Sequence, residues 1–131
     1  MIRIVTNWSY HRAWAMLLVR VAGGLVFLTH GWAKLTNIPG AEGFLSSLGL
    51  PPGAGTLVAV IEVIGGLMLI LGIAPRLAGI VLAVEMVVAL ILVGMPSGSY
   101  ELELMLGVAA LAVFLAGGGR YSLYSMEHRD N

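Results

Sequence analysis

Apolar residues fall into four long runs along this chain of 131 residues, separated by short stretches rich in glycine, proline and charge. The runs cover roughly residues 13–33, 56–74, 77–95 and 101–118. Each is close to the ~20 residues that an α-helix needs to cross the hydrocarbon core of a bilayer. Strands of a membrane barrel would alternate polar and apolar residues, and these runs do not. The pattern therefore predicts an all-α integral membrane protein with one transmembrane domain over 1–131.

The connections between the runs predict how the helices are arranged. A turn around Pro75 and Arg76 joins the second and third runs, and residues 94–99 form a second short turn. The first connection, 35–55, is longer, and a short helix over 41–48 is expected to lie on the outer face of the membrane. This connection is interpreted either as a tether or as a lid. The four runs together predict an up-down-up-down four-helix bundle.

Basic residues are unequally divided between the two ends of the predicted bundle. Only Lys34 lies at the outer end, and the other end carries five arginines: Arg3, Arg12, Arg76, Arg120 and Arg129. The positive-inside rule therefore predicts that both termini are cytoplasmic. We interpret the first run as a retained membrane helix, because it is longer than the apolar region of a usual signal peptide.

Composition supports a multi-pass protein of the cell (cytoplasmic) membrane. Hydrophobic residues make up 59% of the chain and charged residues 11%, with a mean hydropathy of +0.95. A soluble domain carries about 25% charged residues, so this chain could not cover a water-facing surface. Seven basic and seven acidic residues leave no net charge to attract nucleic acid. Because cysteine is absent, disulfide exchange, thiolate metal ligation and iron–sulfur clusters are excluded.

Three charged residues, Arg20, Glu62 and Glu85, interrupt the apolar runs. A charge at membrane depth costs from about 3 to more than 10 kcal/mol, so such residues usually face the bundle interior and pair. At about 1.5 Å per residue from the cytoplasmic edge, Arg20 and Glu85 are expected in an inner layer. Arg20 is therefore predicted to bond Glu85 or Glu62. The outer layer is predicted to contain His30, Lys34, Glu62, Glu101 and Glu103.

This intramembrane polar cluster has more than one interpretation. Arg20 either specifies which helices pack together, or lines a pocket for a quinone head group, a proton path or a polar substrate. A metal site built from His30, Glu62 and Glu103 is the less favoured alternative, and no metal is predicted. The residues identify no catalytic group.

A short internal similarity marks the first two helices. Residues 20–25 read Arg-Val-Ala-Gly-Gly-Leu and residues 62–67 read Glu-Val-Ile-Gly-Gly-Leu. Small residues let membrane helices approach closely. We therefore predict that the helices touch where Gly23-Gly24 meets Gly65-Gly66. Chance is the alternative explanation, since the chain contains 18 glycines.

An ordered set of residues over 15–115 resembles the DoxX family of small membrane proteins. The set consists of Arg20, Gly24, Phe27, His30-Gly31 and Lys34, then Gly43-Phe44 and Leu48-Gly49-Leu50-Pro51, then Glu62, Gly65-Gly66-Leu67, Gly72 and Arg76. The resemblance implies a four-helix integral membrane protein. It also makes Arg20, Lys34 and Glu62, which fit family positions, candidates for a site.

The DoxX family takes its name from a subunit of an archaeal thiosulfate:quinone oxidoreductase, and other members are associated with membrane complexes that handle thiol or oxidative stress. The resemblance therefore implies a membrane subunit of a quinone-linked oxidoreductase, with a quinone as candidate cofactor. An oxidoreductase subunit and a second copy of the chain are its candidate partners. The alternatives are a non-enzymatic anchor, assembly or partner-binding protein, and a small transporter or lipid-binding protein. Without cysteine, the chain is not expected to carry out thiol chemistry itself.

Overall fold

The computed structural model describes residues 8–117, and these residues form helices and turns without a strand. In chain order the segments are α1 (Trp8–Leu35), α2 (Ile38–Ser47), α3 (Ala54–Leu71), α4 (Pro75–Ala89), a π-helical turn (Leu90–Gly94), α5 (Met95–Ser97) and α6 (Glu101–Ala116). The predicted all-α class is confirmed. Arg3, Arg120 and Arg129, on which the predicted orientation partly depends, lie outside the described residues.

Within residues 8–117, three helices are long and apolar enough to cross a membrane: His11–Leu35, Ala54–Leu71 and Pro75–Ser97. The last of these joins α4, the π-helical turn and α5. Helix α6 has 16 residues, which is shorter than the ~20 residues that a span usually needs. The structure therefore supports three candidate spans, whereas a fourth span, the up-down topology and the cytoplasmic termini remain predictions.

Local chemistry explains where the third and fourth helices end and begin. Gly72 closes α3 with a left-handed φ of 71°, and its N–H donates to the carbonyl of Met68. Pro75 opens α4, where its missing N–H is not needed. Farther along, Pro96 cannot donate to a carbonyl one turn back, and the π-helical turn widens the helix just before it. A helix predicted as one run over 77–95 is therefore three segments.

The four longer helices surround a common apolar core. Helix α1 packs most closely on α3, and α4 packs on α6, with looser contacts between α3 and α4 and between α1 and α6. Phe27, Leu69, Leu82, Ala110 and Val113 are all nearly inaccessible in this core. The looser contact between α3 and α4 leaves the space in which the candidate site lies.

Glycine sets the distance between α1 and α3. A Cβ atom on Gly24 would lie 2.7 Å from the carbonyl oxygen of Gly66, and one on Gly66 would lie 2.8 Å from that of Gly24. Gly65 instead faces Leu82 of α4, and a Cβ on Gly23 would meet no atom of another helix within 4 Å. Adjacent residues on a helix point in directions about 100° apart, so only one glycine of each pair faces the partner helix.

Candidate functional site

An ion pair joins the last turn of α1 to the middle of α3. The Lys34 ammonium lies 2.7 and 2.8 Å from the two carboxylate oxygens of Glu62 and donates a hydrogen bond to each. The Glu62 side chain is 3% exposed and that of Lys34 is 32% exposed. Gly31 makes this possible, because a Cβ there would lie 2.8 Å from the Cβ of Glu62. Close approach of the two backbones thus holds the pair together.

The predicted bond from Arg20 to Glu85 or Glu62 is corrected by this geometry. Lys34 binds the Glu62 carboxylate, and neither oxygen of Glu85 has a hydrogen bond within residues 8–117. Side chains on a helix tilt toward its N-terminus, so a lysine at the outer end of α1 reaches back to the level of Glu62. Arg20 is fully buried and does not line the cavity discussed below.

Glu85 belongs with Glu62 rather than in an inner layer with Arg20. The turn between α3 and α4 covers only residues 72–74, and Glu62 and Glu85 lie at similar distances along their helices from it. Counting depth from Arg76 placed the turn too far along the chain and separated the two glutamates. In the structure the Glu85 carboxyl lies within electrostatic range of both Glu62 and Lys34.

A cavity of about 630 Å³ opens beside this cluster. Its polar lining consists of His30, Lys34, Glu62, Glu85 and Glu103. The rest of its wall is almost entirely apolar and comes from every long helix and from α2. The structure therefore brings five of the predicted polar residues to one cavity, and leaves Arg20 and Glu101 out of its wall.

The cavity is a groove that reaches the lateral surface of the helices. Leu57 on α3 and Val81, Val84 and Val88 on α4 line it, and each side chain is at least 36% exposed. Deeper in the fold, α3 and α4 are in contact where Gly65 faces Leu82. About one helical turn away along each helix, Glu62 and Glu85 both line the cavity. We call this cavity the α3–α4 groove.

Helix α2 covers the outer end of the α3–α4 groove. Phe44, Leu45 and Leu48 line the groove from this side. The helix starts at Ile38, where Asn37 accepts a hydrogen bond from the Gly40 N–H, and it ends at Ser47. The short helix expected on the outer face thus contributes a wall of the site.

Glu42 fastens α2 to the start of α3. Its carboxylate accepts hydrogen bonds from the Thr56 N–H and hydroxyl, both at 2.8 Å, and from the Gly53 N–H at 2.9 Å. These donors, led by the Thr56 N–H, hold the pKa of Glu42 below its ordinary value. Gly55 lies against the α2 backbone, since a Cβ there would be 2.7 Å from the Glu42 nitrogen.

Comparison with known proteins gives the family of this chain. The model of the DoxX family matches residues 15–95, which is more than half of the chain. The chain belongs to the DoxX family. The resemblance drawn from the sequence is confirmed.

Three relatives of this DoxX protein come from bacteria. The protein named "Putative oxidoreductase CatD" of Bacillus subtilis (strain 168) is 33% identical over 104 residues, 77% of this chain and 78% of the relative. "Inner membrane protein YqjF" of Escherichia coli (strain K12) is 31% identical over 61 residues, 47% of each chain. An uncharacterized protein of Haemophilus influenzae is 34% identical over 87 residues, 65% of this chain and 63% of its own length. No solved structure matches the chain.

Two features of this DoxX protein escaped the sequence analysis. The Lys34–Glu62 pair was recognisable from the stripe that Lys34 shares with Gly24 and Gly31, because glycines at that spacing place one face of α1 against α3. Glu42 carried no such signal, since its partners depend on how the first connection folds back. The metal alternative is not supported, because no three metal-binding side chains gather within the part of the chain that the structure describes.

Proposed function

We propose that this DoxX protein is a membrane subunit of an oxidoreductase and that its α3–α4 groove binds the head group of a membrane quinone. The observation that carries the proposal is the Lys34–Glu62 ion pair, with Glu85 beside it, at the buried end of an apolar groove open to the side. Family membership and the name of the Bacillus subtilis relative favour an oxidoreductase role. A partner subunit would exchange electrons with the quinone.

The chemistry of the groove suits a quinone. Ligand sites are mostly apolar, with a few polar groups that fix orientation. An ammonium has three N–H groups, and Glu62 takes two of those on Lys34, so one is available to a quinone carbonyl. The exposed lining residues Val81, Val84 and Val88 provide a path along which an isoprenoid tail would lie between protein and lipid. A bound quinone would supply the two-electron chemistry that the side chains lack.

Blocking the groove with one substitution tests the proposal. Val84 lines the groove and is 57% exposed, whereas Val87 on the same helix is 53% exposed and does not line it. We expect Val84→Phe to weaken binding of decylubiquinone to the detergent-purified protein by at least about tenfold, because loss of about 1.4 kcal/mol of contact has that effect. Val87→Phe is the matched control and should bind like the unchanged protein.

The other functions considered predict different results in the same experiment. Native mass spectrometry would identify whatever the purified protein retains. Retention of a phospholipid that excess decylubiquinone does not displace would favour a lipid-binding protein. If no quinone binds and a second protein co-purifies, a non-enzymatic partner-binding subunit is favoured, and the quinone proposal fails.

The proposal also includes an orientation in the membrane. We propose four spans with both termini in the cytoplasm, so that Arg12 and Arg76 lie at the inner face and Lys34 near the outer face. The distribution of basic residues supports this arrangement. A fluorescent protein fused to the C-terminus should fluoresce, and an alkaline phosphatase fused there should be inactive. The opposite pair of results would exclude this orientation.

A further inference from the structure

Three carboxylates line the α3–α4 groove, and they differ in how their oxygens are bonded. Lys34 binds both oxygens of Glu62. Both oxygens of Glu85 and the Oε2 atom of Glu103 are shielded from solvent and have no hydrogen bond within the described residues. Buried polar atoms in native proteins are nearly always bonded, so unfilled acceptors in the wall of a cavity point to a ligand that supplies donors.

The two unfilled carboxylates come from different helices. Glu85 belongs to α4 and Glu103 to the first turn of α6. Gly94, at the end of the π-helical turn, makes room for Glu103, since a Cβ there would lie 3.3 Å from its Oε2 atom. The widened helix and the glycine therefore admit a charged side chain to the groove. This arrangement is more specific than a run of acidic residues on one helix surface.

The redox forms of a quinone differ in what they offer such a wall. The oxidised form has two carbonyl oxygens, which only accept hydrogen bonds. The reduced form, a quinol, has two hydroxyl groups, which donate. Carboxyl oxygens are acceptors, and a buried acceptor left without a donor costs free energy, so these oxygens suit a hydroxyl better than a carbonyl. A quinone carbonyl would use the Lys34 ammonium as its donor, and Glu62 already accepts two of the three hydrogen bonds that this ammonium can donate.

We infer that the α3–α4 groove binds the reduced, hydroxyl-bearing form of a quinone in preference to the oxidised form, with Glu85 and Glu103 accepting its hydrogen bonds. The inference rests on the proposed function, because it names which form of the proposed ligand the site selects. Glu85 has two unfilled oxygens and Glu103 one, so Glu85 contributes more to the preference.

The experiment compares the binding of two probes, decylubiquinol and decylubiquinone, to the full chain in detergent without oxygen. The unchanged protein should bind the quinol at least about tenfold more tightly, as expected when a buried, otherwise unfilled acceptor gains a donor. Glu85→Gln should remove or reverse the preference, because its amide N–H₂ donates to a carbonyl. Glu103→Gln should reduce the preference less. Glu101→Gln is the matched control, since Glu101 is exposed and does not line the groove.

Each outcome distinguishes this inference from the proposed function. Equal binding of the two probes by the unchanged protein overturns the inference and leaves quinone binding intact. Binding of neither probe overturns the proposed function. If Glu85→Gln does not fold, the ratio of quinol to quinone affinity in the unchanged protein and its change in Glu103→Gln still test the inference.

Discussion

Helix α3 packs backbone to backbone against α1, whereas its contact with α4 is looser and leaves the α3–α4 groove. The first contact is set by Gly24, Gly31 and Gly66, where even a Cβ atom would meet main-chain atoms at less than 3 Å. Helices α3 and α4 touch where Gly65 meets Leu82, and the groove lies beside Glu62 and Glu85. One helix thus has a closed face and an open face at nearly the same depth.

The closed face explains how the open face can hold charge. Glu62 is nearly inaccessible because α1 lies directly against α3, and the same proximity delivers the Lys34 ammonium to its carboxylate. Because Lys34 already binds Glu62, neither side chain needs to move far when a ligand enters the α3–α4 groove. The comparison suggests that glycine packing serves the site, since a rigid α1–α3 unit fixes Glu62 while α4 and α2 complete the groove.

The largest effect is expected from removing the cation of the ion pair. Lys34→Met leaves the Glu62 carboxylate buried and unpaired, which typically costs about 3–5 kcal/mol of unfolding free energy. We expect the lower part of that range, because Lys34 is itself 32% exposed. Equilibrium unfolding in a mixed-detergent titration measures the loss. Decylubiquinone binding should also weaken, since Lys34 is the proposed donor.

A second substitution separates the cost of the lone charge from the loss of contact. In the double variant Lys34→Met with Glu62→Met, both charges are gone and two apolar side chains of similar length replace them. Replacing a whole buried ion pair by apolar groups is often neutral or stabilising. The double variant should therefore regain most of the lost stability. A double variant no more stable than Lys34→Met would show that the loss in Lys34→Met does not come from a lone buried charge.

A smaller loss is expected from adding one methyl group to the closed face. Gly24→Ala would bring a Cβ to 2.7 Å from the main-chain oxygen of Gly66, and Gly66→Ala would bring one equally close to Gly24 and Leu28. Main-chain atoms cannot rotate away, so the helices must separate, at a cost of about 1–3 kcal/mol. The same detergent titration measures the change.

Gly23→Ala is the matched control for the glycine variants. It changes the adjacent residue on the same helix, where nothing lies within 4 Å of the added carbon. Alanine favours a helix by up to about 1 kcal/mol over glycine, so this variant should be unchanged or more stable. Equal losses at Gly23 and Gly24 would contradict the close packing of α1 on α3.

Much of the architecture could be predicted from the sequence because it depends on local patterns. Apolar runs, glycine–proline punctuation and helix propensity led to the helical class and the approximate helix limits. The π-helical turn could not be predicted, because Pro96 indicates that the helix is interrupted but not which backbone conformation the preceding turn adopts. The extent of α6 was similarly uncertain, since length and composition alone do not define where a helix stops.

The site was partly predictable, and its error has a geometric cause. The charged residues were identified because charge is rare in apolar runs, yet Arg20 was given the partner that belongs to Lys34. Depth was counted along straight helices from basic residues. That count ignores how far a lysine reaches back and where the hairpin turn is centred. Which side chains share a cavity depends on how α3 and α4 pack against each other, and the hydrophobic periodicity of the sequence does not determine that packing.

The smallest effect is expected where α2 lines the α3–α4 groove and Glu42 binds it to the start of α3. Because the pKa of Glu42 is lowered by its bonds to Thr56 and Gly53, its contribution is fully present above the ordinary glutamate value. The contribution is lost as pH falls through the lowered value. Acidification should therefore loosen α2, whereas the α1–α3 contact at Gly24 and Gly66 contains no titratable group and should not respond.

A spin label on α2 measures this response, and the absence of native cysteine allows a single attachment site. We expect a label at Ser46→Cys to gain mobility as pH falls from 7 to below 4, and a label at Leu67→Cys on α3 to stay constant. In Glu42→Gln, one amide oxygen cannot serve the donors that two carboxylate oxygens serve. The Ser46 label should therefore be more mobile at pH 7 and much less sensitive to pH. An unchanged pH response in this variant would mean that another group holds α2 over the groove.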